Sequence, residues 1–116
     1  MTAPLDGLRV RISISDPWDF YTENGPLVTG KVVSLGRSSV DDYAELRIHL
    51  DTPLKEKRLV ANEVFARFRH ANKTVEHLSS GESVSCNFSN LPEDDWKLAA
   101  PDARMGFIGG LQLQPR

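Results

Sequence analysis

The chain has 116 residues, a formal net charge of −2, 40% hydrophobic and 26% charged residues. This length is too short for two separate hydrophobic cores, and the composition is that of a globular protein and not of a disordered one, so we predict a single small β domain spanning 1–116. The negative net charge disfavours a polyanion such as nucleic acid as partner of the whole molecule.

The cysteine and histidine content further narrows the kinds of site and the cellular location to be expected. A lone cysteine, Cys86, cannot form an internal disulfide, which favours a reducing, cytoplasmic location. No apolar run reaches the length that a membrane-spanning helix needs, so no membrane association is expected. The three histidines, His49, His70 and His77, show no metal-ligand spacing with one another or with Cys86, and we predict neither metal nor cofactor.

Alternating residues near the N-terminus predict the first strand. The aliphatic positions from Leu8 to Ile14 alternate with Arg9 and Arg11, so a period of two places the apolar side chains on one face. Pro17 ends this strand, because proline fixes its own φ and lacks the ladder donor.

Two further strands follow. The β-branched run 27–35 predicts the second, with Gly30 marking a bulge or a close backbone approach. Alternation over 43–50 predicts the third, and the sequence DTP at 51–53 is expected to end it.

The next stretch fits two secondary structures. Apolar residues between Val60 and Leu78 recur at spacings of three and four, as on one face of a long helix. The residues from Val64 to Phe68 also alternate, as in a strand. Periodicity alone leaves both open.

We choose the strand, followed by a short helix that Gly81 would end. Proline and acids at 92–95 are typical of a helix first turn. The elements predicted for the second half are a strand at 58–69, one or two helical turns at 74–79, a strand at 83–88, a short helix around Trp96 and a strand at 105–113.

The predicted elements are short strands and brief helices, without repeated strand–helix units. This pattern indicates the fold class. We predict a mainly β protein, a small antiparallel barrel or sandwich of SH3-like or OB-like size with one or two short helices.

Short motifs occur along most of the chain: DPWDF at 16–20, Gly30 in a valine-rich strand, LDTPL at 50–54, FARFRH at 65–70, and LSSG at 78–81 ahead of SCNF at 85–88. Together they resemble a group of small bacterial proteins of unassigned function with a PWDF or PWEF element, an L-D-x-P step and a strand ending in V-V-A-S-P-R-H-E-G. The chain departs from that pattern with Arg67-Phe68 in place of Ser-Pro and Ala71-Asn72 in place of Glu-Gly. The resemblance implies a strand that ends at Arg69-His70, and it implies no activity.

The aromatic segment after the first strand is a candidate binding element. It contains Trp18, Asp19, Phe20 and Tyr21 within four positions. Packing of one ring, Trp18 or Phe20, over an open barrel end is the ordinary expectation. A second ring left exposed beside Asp19 would form an aromatic and acidic recognition surface.

The polar side of the predicted sheet carries the other candidates. If the strands pair, a stripe of cationic side chains would run across them. Salt bridges from Glu45 and Glu63 would neutralise part of this charge, and the stripe would then be an ordinary solvated surface. We further expect Arg69 and His70 to lie at a strand end near the aromatic segment. The stripe consists of Arg9, Arg11, Arg47, His49, Arg67 and Arg69.

Three functions are weighed. The leading hypothesis is a non-enzymatic protein-binding module, an immunity-type or regulatory partner of another protein, with a second copy of this chain as a further candidate partner. The alternative is a small barrel that binds single-stranded nucleic acid through arginines and stacked rings. An enzyme using Arg69, His70 and an acid has the least support.

Cys86 shares a face with Val84 and Phe88, which predicts a buried, inert thiol.

Overall fold

A computed structural model gives the fold of the chain at residues 7–16, 27–37, 42–56, 59–90 and 106–114. Its elements are β1 (Arg9–Asp16), β2 (Leu27–Arg37), β3 (Tyr43–Glu56), β4 (Leu59–Arg69), α1 (Ala71–Ser79), β5 (Val84–Ser89) and β6 (Gly106–Leu113).

The strands form a closed six-stranded barrel in chain order. Each strand pairs antiparallel with its chain neighbour, and β6 pairs with β1 to close the ring. Of the two predicted architectures, the barrel is confirmed and the sandwich is wrong. The helix predicted around Trp96 lies outside the described residues.

Alternation along the strands builds the core, as the sequence predicts. Inward positions of β1, β3 and β4 are buried, while their neighbours in the chain face solvent. Phe88 of β5 stacks on Phe107 of β6 with ring centroids 4.9 Å apart. The largest fully buried side chains among the described residues are Val10, Ile12, Val32, Leu46, Ile48, Leu54, Val64, Leu78, Phe88 and Leu111.

In β2, the close approach predicted at Gly30 is present. A Cβ there would lie 2.6 Å from the carbonyl oxygen of His49, so β3 leaves room only for glycine. The register shift lies further along, because Val32 faces Ile48 whereas Ser34 faces Arg47, which leaves Val33 without a partner.

The third strand is longer than predicted. Instead of stopping at Pro53, β3 continues to Glu56. Its register against β4 shifts between His49 and Leu54, so that the proline falls in an irregular part of the ladder. Proline is tolerated in a strand at such a place because no ladder donor is needed there.

A strand followed by a helix replaces the single long helix considered for 60–78, so the chosen alternative is correct. The helix starts at Ala71, earlier than the predicted Thr74. Asp42 accepts a hydrogen bond from the Ala71 N–H through Oδ1 at 3.1 Å, which satisfies a donor at the helix N-terminus.

The helix ends as Gly81 predicts. Gly81 has a positive φ of 92° and donates to the Leu78 carbonyl at 3.0 Å, while Glu82 donates to the His77 carbonyl at 3.0 Å. This pair of bonds is a Schellman motif. The buried face of α1, formed by Ala71, Val75 and Leu78, packs against β4, β5 and β6.

In the part of the chain that the structure describes, no helix has both the length and the apolar character to cross a membrane.

Candidate functional site

The outer face of β3 and β4 brings one tyrosine and two arginines together. In the register of the two strands, Tyr43 faces Arg69 and Glu45 faces Arg67. Since side chains two residues apart lie on the same side of a strand, both arginines project outward beside Tyr43.

Both guanidinium groups contact the tyrosine. The Cζ of Arg67 lies 4.2 Å from the Tyr43 ring centroid, and that of Arg69 lies 5.2 Å away. Arg69 also donates from Nε to the Tyr43 Oη at 2.5 Å. Each cation–π contact at such a surface contributes roughly 0.5–1 kcal/mol, so the main effect is to fix the position of two like charges.

Next to this cluster the barrel wall opens. β4 and β5 pair only through Phe65–Ser89, Ala66–Phe88 and Arg67–Asn87, although both strands continue further. Beyond the last pair lies a cavity of about 370 Å³, which we call the β4–β5 cleft.

Residues from both sides of the wall line the β4–β5 cleft. Its lining includes Phe68 and Cys86, whose side chains face the core and are almost fully buried, so they offer the cleft little accessible surface. Its rim includes Ser85, Asn87 and the side chain of Ile108, which is 48% exposed although it is apolar.

The cleft combines positive charge, hydrogen-bonding groups and the exposed apolar side chain of Ile108. Among the described residues that line it, Arg67 and Arg69 are charged and none is acidic. Guanidinium groups bind carboxylates and phosphates in a planar, two-pronged geometry. The arrangement therefore suits an anionic group attached to an apolar body.

Cys86 is not a nucleophile in this cleft. It is buried and free of any disulfide, as predicted, and burial raises the pKa of its thiol to about 12. At neutral pH the thiol is protonated, and a thiolate is the reactive form.

The predicted site residues Arg47 and His49 form a separate cluster on β3. Arg47 donates to Glu63 Oε1 from Nε at 2.9 Å and from Nη2 at 2.6 Å. The Nδ1 of His49 lies 3.7 Å from Glu63 Oε2. Glu63 thus neutralises part of the positive charge of this cluster, as expected if the stripe is an ordinary salt-bridged surface.

The predicted cationic stripe is interrupted, because β2 separates β1 from β3. Arg9 forms a two-pronged salt bridge with Asp51, and Thr29 on the intervening strand donates to the same carboxylate at 2.6 Å. Arg11 donates to Gln112 at 2.7 Å. Asp51 therefore ties β1, β2 and β3 together, and the arginines of β1 are remote from those of β4.

His70 follows the last residue of β4, as predicted, but it is not among the residues that line the β4–β5 cleft. Its backbone is in the left-handed region, with φ 54° and ψ 56°. The side chain is 77% exposed, and its Nδ1 lies 3.7 Å from Asp42 Oδ2. Arg69 and His70 thus have different partners and form no joint constellation.

The aromatic segment with Trp18, Asp19, Phe20 and Tyr21 lies outside the described residues. The chain leaves β1 at Asp16 and enters β2 at Leu27. Asp16, the last residue of β1, pairs with Ile108 of β6, and Ile108 lines the β4–β5 cleft. The expected proximity of this segment to Arg69 stays a prediction.

Sequence reasoning missed Ser85, Asn87 and Ile108. Alternation in β5 marks Ser85 and Asn87 as outward-facing, and Ile108 stands at an outward position between inward-facing neighbours in β6. An isoleucine at a solvent-facing strand position is the signal that was available.

Within the described ranges, no three His, Cys, Asp or Glu side chains are grouped so that they could hold a metal ion.

No family model, curated protein or solved structure matches the chain. The resemblance to a group of small bacterial proteins therefore stays a prediction.

Proposed function

We propose that the protein is a non-enzymatic binding module that captures an acidic segment of another protein at the β4–β5 cleft. The observation that carries this proposal is the pair of guanidinium groups of Arg67 and Arg69, both held against Tyr43 at the edge of an opening in the barrel wall.

Preorganisation supports a binding role. Arginine side chains lose rotamer freedom when they bind a ligand, and this loss weakens binding. Contact with the Tyr43 ring restricts Arg67 and Arg69 before any partner arrives. A carboxylate would then meet donors that are already in place.

The exposed side chain of Ile108 supports a protein as the partner. Interface centres combine an apolar contact with arginine and aromatic side chains, which is the composition found here. In this proposal, the module is an immunity-type or regulatory protein that acts in the cytoplasm, where the free Cys86 stays reduced.

Single-stranded nucleic acid has less support as the ligand. Stacking needs accessible ring faces, but Arg67 lies over the ring of Tyr43 and Phe68 is buried in the core, which leaves the half-buried Phe65 on the outer face of β4. Among the other arginines that the structure describes, Arg9 and Arg47 are paired with carboxylates and Arg11 donates to Gln112.

A quantitative pull-down tests the proposal. The immobilised wild-type protein, the Arg67→Gln/Arg69→Gln variant and a Lys31→Gln/Lys55→Gln control are incubated with lysate of the source cells, and retained proteins are measured by mass spectrometry. The control removes the same charge from exposed positions of β2 and β3 away from the cleft.

We expect at least one protein to be retained by wild type and control and reduced at least tenfold by the arginine variant. Its contact region, mapped by cross-linking, should include an acidic segment. Equal retention by the arginine variant and wild type would contradict the proposal.

A further inference from the structure

We propose that Glu45 competes with the acidic partner for Arg67, so that the partner displaces an internal carboxylate when it binds both arginines of the β4–β5 cleft. This inference rests on the proposed function and names a residue that regulates the same site. In the free protein, the carboxylate of Glu45 is the ligand of Arg67. Glu45 therefore limits the affinity of the cleft for acidic ligands.

Strand register places Glu45 directly opposite Arg67. The two residues pair across the β3–β4 ladder, and both are half-buried on the outer face. Paired side chains on one face of an antiparallel ladder have Cβ atoms about 4.5–5.5 Å apart, and opposite charges at such positions attract each other. Glutamate and arginine are both long enough for a carboxylate to meet a guanidinium group across that separation. Arg67 is thus partly neutralised before a partner arrives.

The other described neighbours of Glu45 are less suited to bind its carboxylate. On the β2 side it faces Gly36, which has no side chain. Arg47, two residues further along β3, donates to Glu63 from Nε at 2.9 Å and from Nη2 at 2.6 Å. Tyr43, two residues before Glu45, carries no charge at neutral pH. Register and neighbours together direct the carboxylate of Glu45 to Arg67.

The two arginines of the cleft therefore differ in their readiness for a ligand. Arg69 is exposed, faces the uncharged Tyr43 in the ladder and donates to its hydroxyl. Arg67 faces the carboxylate of Glu45. A partner's carboxylate meets Arg69 first, and it gains Arg67 only by replacing one carboxylate–guanidinium pair with another. The gain from Arg67 is the difference between these two pairs, so Glu45 weakens binding.

A double-mutant cycle with a defined acidic probe tests this inference. The probe is an N-acetylated, C-amidated hexaglutamate peptide, and hexaglutamine is its uncharged counterpart. Each peptide is titrated to millimolar concentration at low salt into ¹⁵N-labelled wild type, Glu45→Gln, Arg67→Gln and the Glu45→Gln/Arg67→Gln double variant. Amide chemical shifts give the affinity and the location, and the cycle gives the coupling between the two residues.

Two further variants complete the design. Glu76→Gln removes the same charge from an exposed position of α1 and is the matched control. Glu45→Ala removes the carboxylate in a second way and should behave as Glu45→Gln does.

We expect hexaglutamate, and not hexaglutamine, to shift the amides of Arg67 and Arg69. Glu45→Gln should tighten hexaglutamate binding about threefold or more, as expected for the loss of one exposed competing ion pair. Glu76→Gln should leave the affinity nearly unchanged. In the Arg67→Gln background, Glu45→Gln should bring no such gain, because the guanidinium group for which it competes is gone.

Three results would overturn the inference. The first is a gain from Glu45→Gln no larger than that from Glu76→Gln. The second is an equal gain from Glu45→Gln with and without Arg67, which would indicate a general effect of charge. The third is hexaglutamate that does not bind at the cleft.

The two proposals fail in different ways. A partner that the pull-down retains through Arg67 and Arg69, with retention that Glu45→Gln does not raise, would leave the proposed function in place and remove the role of Glu45. Hexaglutamate binding that Glu45→Gln tightens through Arg67, without a partner retained from the lysate, would contradict the proposed function while supporting the competition.

Discussion

A single aromatic ring, that of Tyr43, contacts both guanidinium groups of the cleft. Arg67 and Arg69 lie on the same face of one strand, so their like charges would otherwise repel and their long side chains would sample many rotamers. The tyrosine holds them by ring contacts and by its hydroxyl. Recognition at this surface therefore depends on a residue that carries no charge itself.

Cys86→Ser tests the role of the buried thiol. The change should lower the free energy of unfolding by about 1–2 kcal/mol, because it buries a hydroxyl group in the core. Ser85→Ala, at the exposed neighbouring position, should change it by less than about 0.5 kcal/mol. Urea denaturation measures both. Labelling of the native wild-type thiol at the rate of a free cysteine would show that Cys86 is accessible instead.

The salt bridge of Asp51 predicts a pH dependence of stability. The hydrogen bonds from Arg9 and Thr29 lower the pKa of Asp51 from its ordinary 3.8 in the folded protein. Its stabilising effect is therefore complete above pH 3.8 and is lost as the pH falls through the lowered pKa.

We expect wild type to be more stable than Asp51→Asn at neutral pH, with the difference shrinking below pH 3.8. Urea unfolding of both proteins at a series of pH values measures this difference. A difference that stays constant into strong acid would exclude Asp51 as its source.

At the scale of elements, local patterns predicted the strands because burial repeats every second residue along β1, β3 and β4. The end of β3 was not predictable, because the register shift that accommodates Pro53 depends on pairing with β4. The start of α1 was missed for a similar reason. Its N-terminal donor is satisfied by Asp42, 29 residues away in the chain.

That distant contact makes a prediction about α1. Asp42→Ala should destabilise the protein by about 1 kcal/mol, since the Ala71 N–H loses its acceptor and His70 loses a nearby carboxylate. Asp42→Asn keeps an acceptor oxygen and should retain most of the stability. Urea unfolding compares the variants, and an equal loss in both would indicate that charge, and not the hydrogen bond, is responsible.

The candidate site was predictable only in part. Alternation placed Arg67 and Arg69 on an outer face, and that placement is confirmed. The cleft beside them arises because β4–β5 pairing stops at Arg67–Asn87, which is a property of strand register that no local pattern contains. Ile108 reaches the cleft from β6 for the same reason.

At the scale of the whole molecule, carboxylates interrupt the basic stripe on the described strands. Arg9 and Arg47 are bound to Asp51 and Glu63, and the net charge is −2. We therefore expect binding to single-stranded DNA to be no tighter than about micromolar at physiological salt, the range of non-specific contacts.

Fluorescence anisotropy with a labelled oligonucleotide at low and physiological salt checks this expectation. Submicromolar binding that weakens steeply with salt would mark direct phosphate contact and favour the nucleic-acid alternative.

One pair of neighbouring strands in the barrel, β4 and β5, has a short hydrogen-bonded ladder. Three residue pairs hold β4 to β5, against ten between β3 and β4. If the ring parts at its shortest ladder, it becomes an open sheet with β4 and β5 as free edges, and such edges recruit strands from other molecules. A ligand that binds beside the β4–β5 ladder, and binds only the closed barrel, would by mass action suppress this opening. It would thereby also suppress aggregation through the free strand edges.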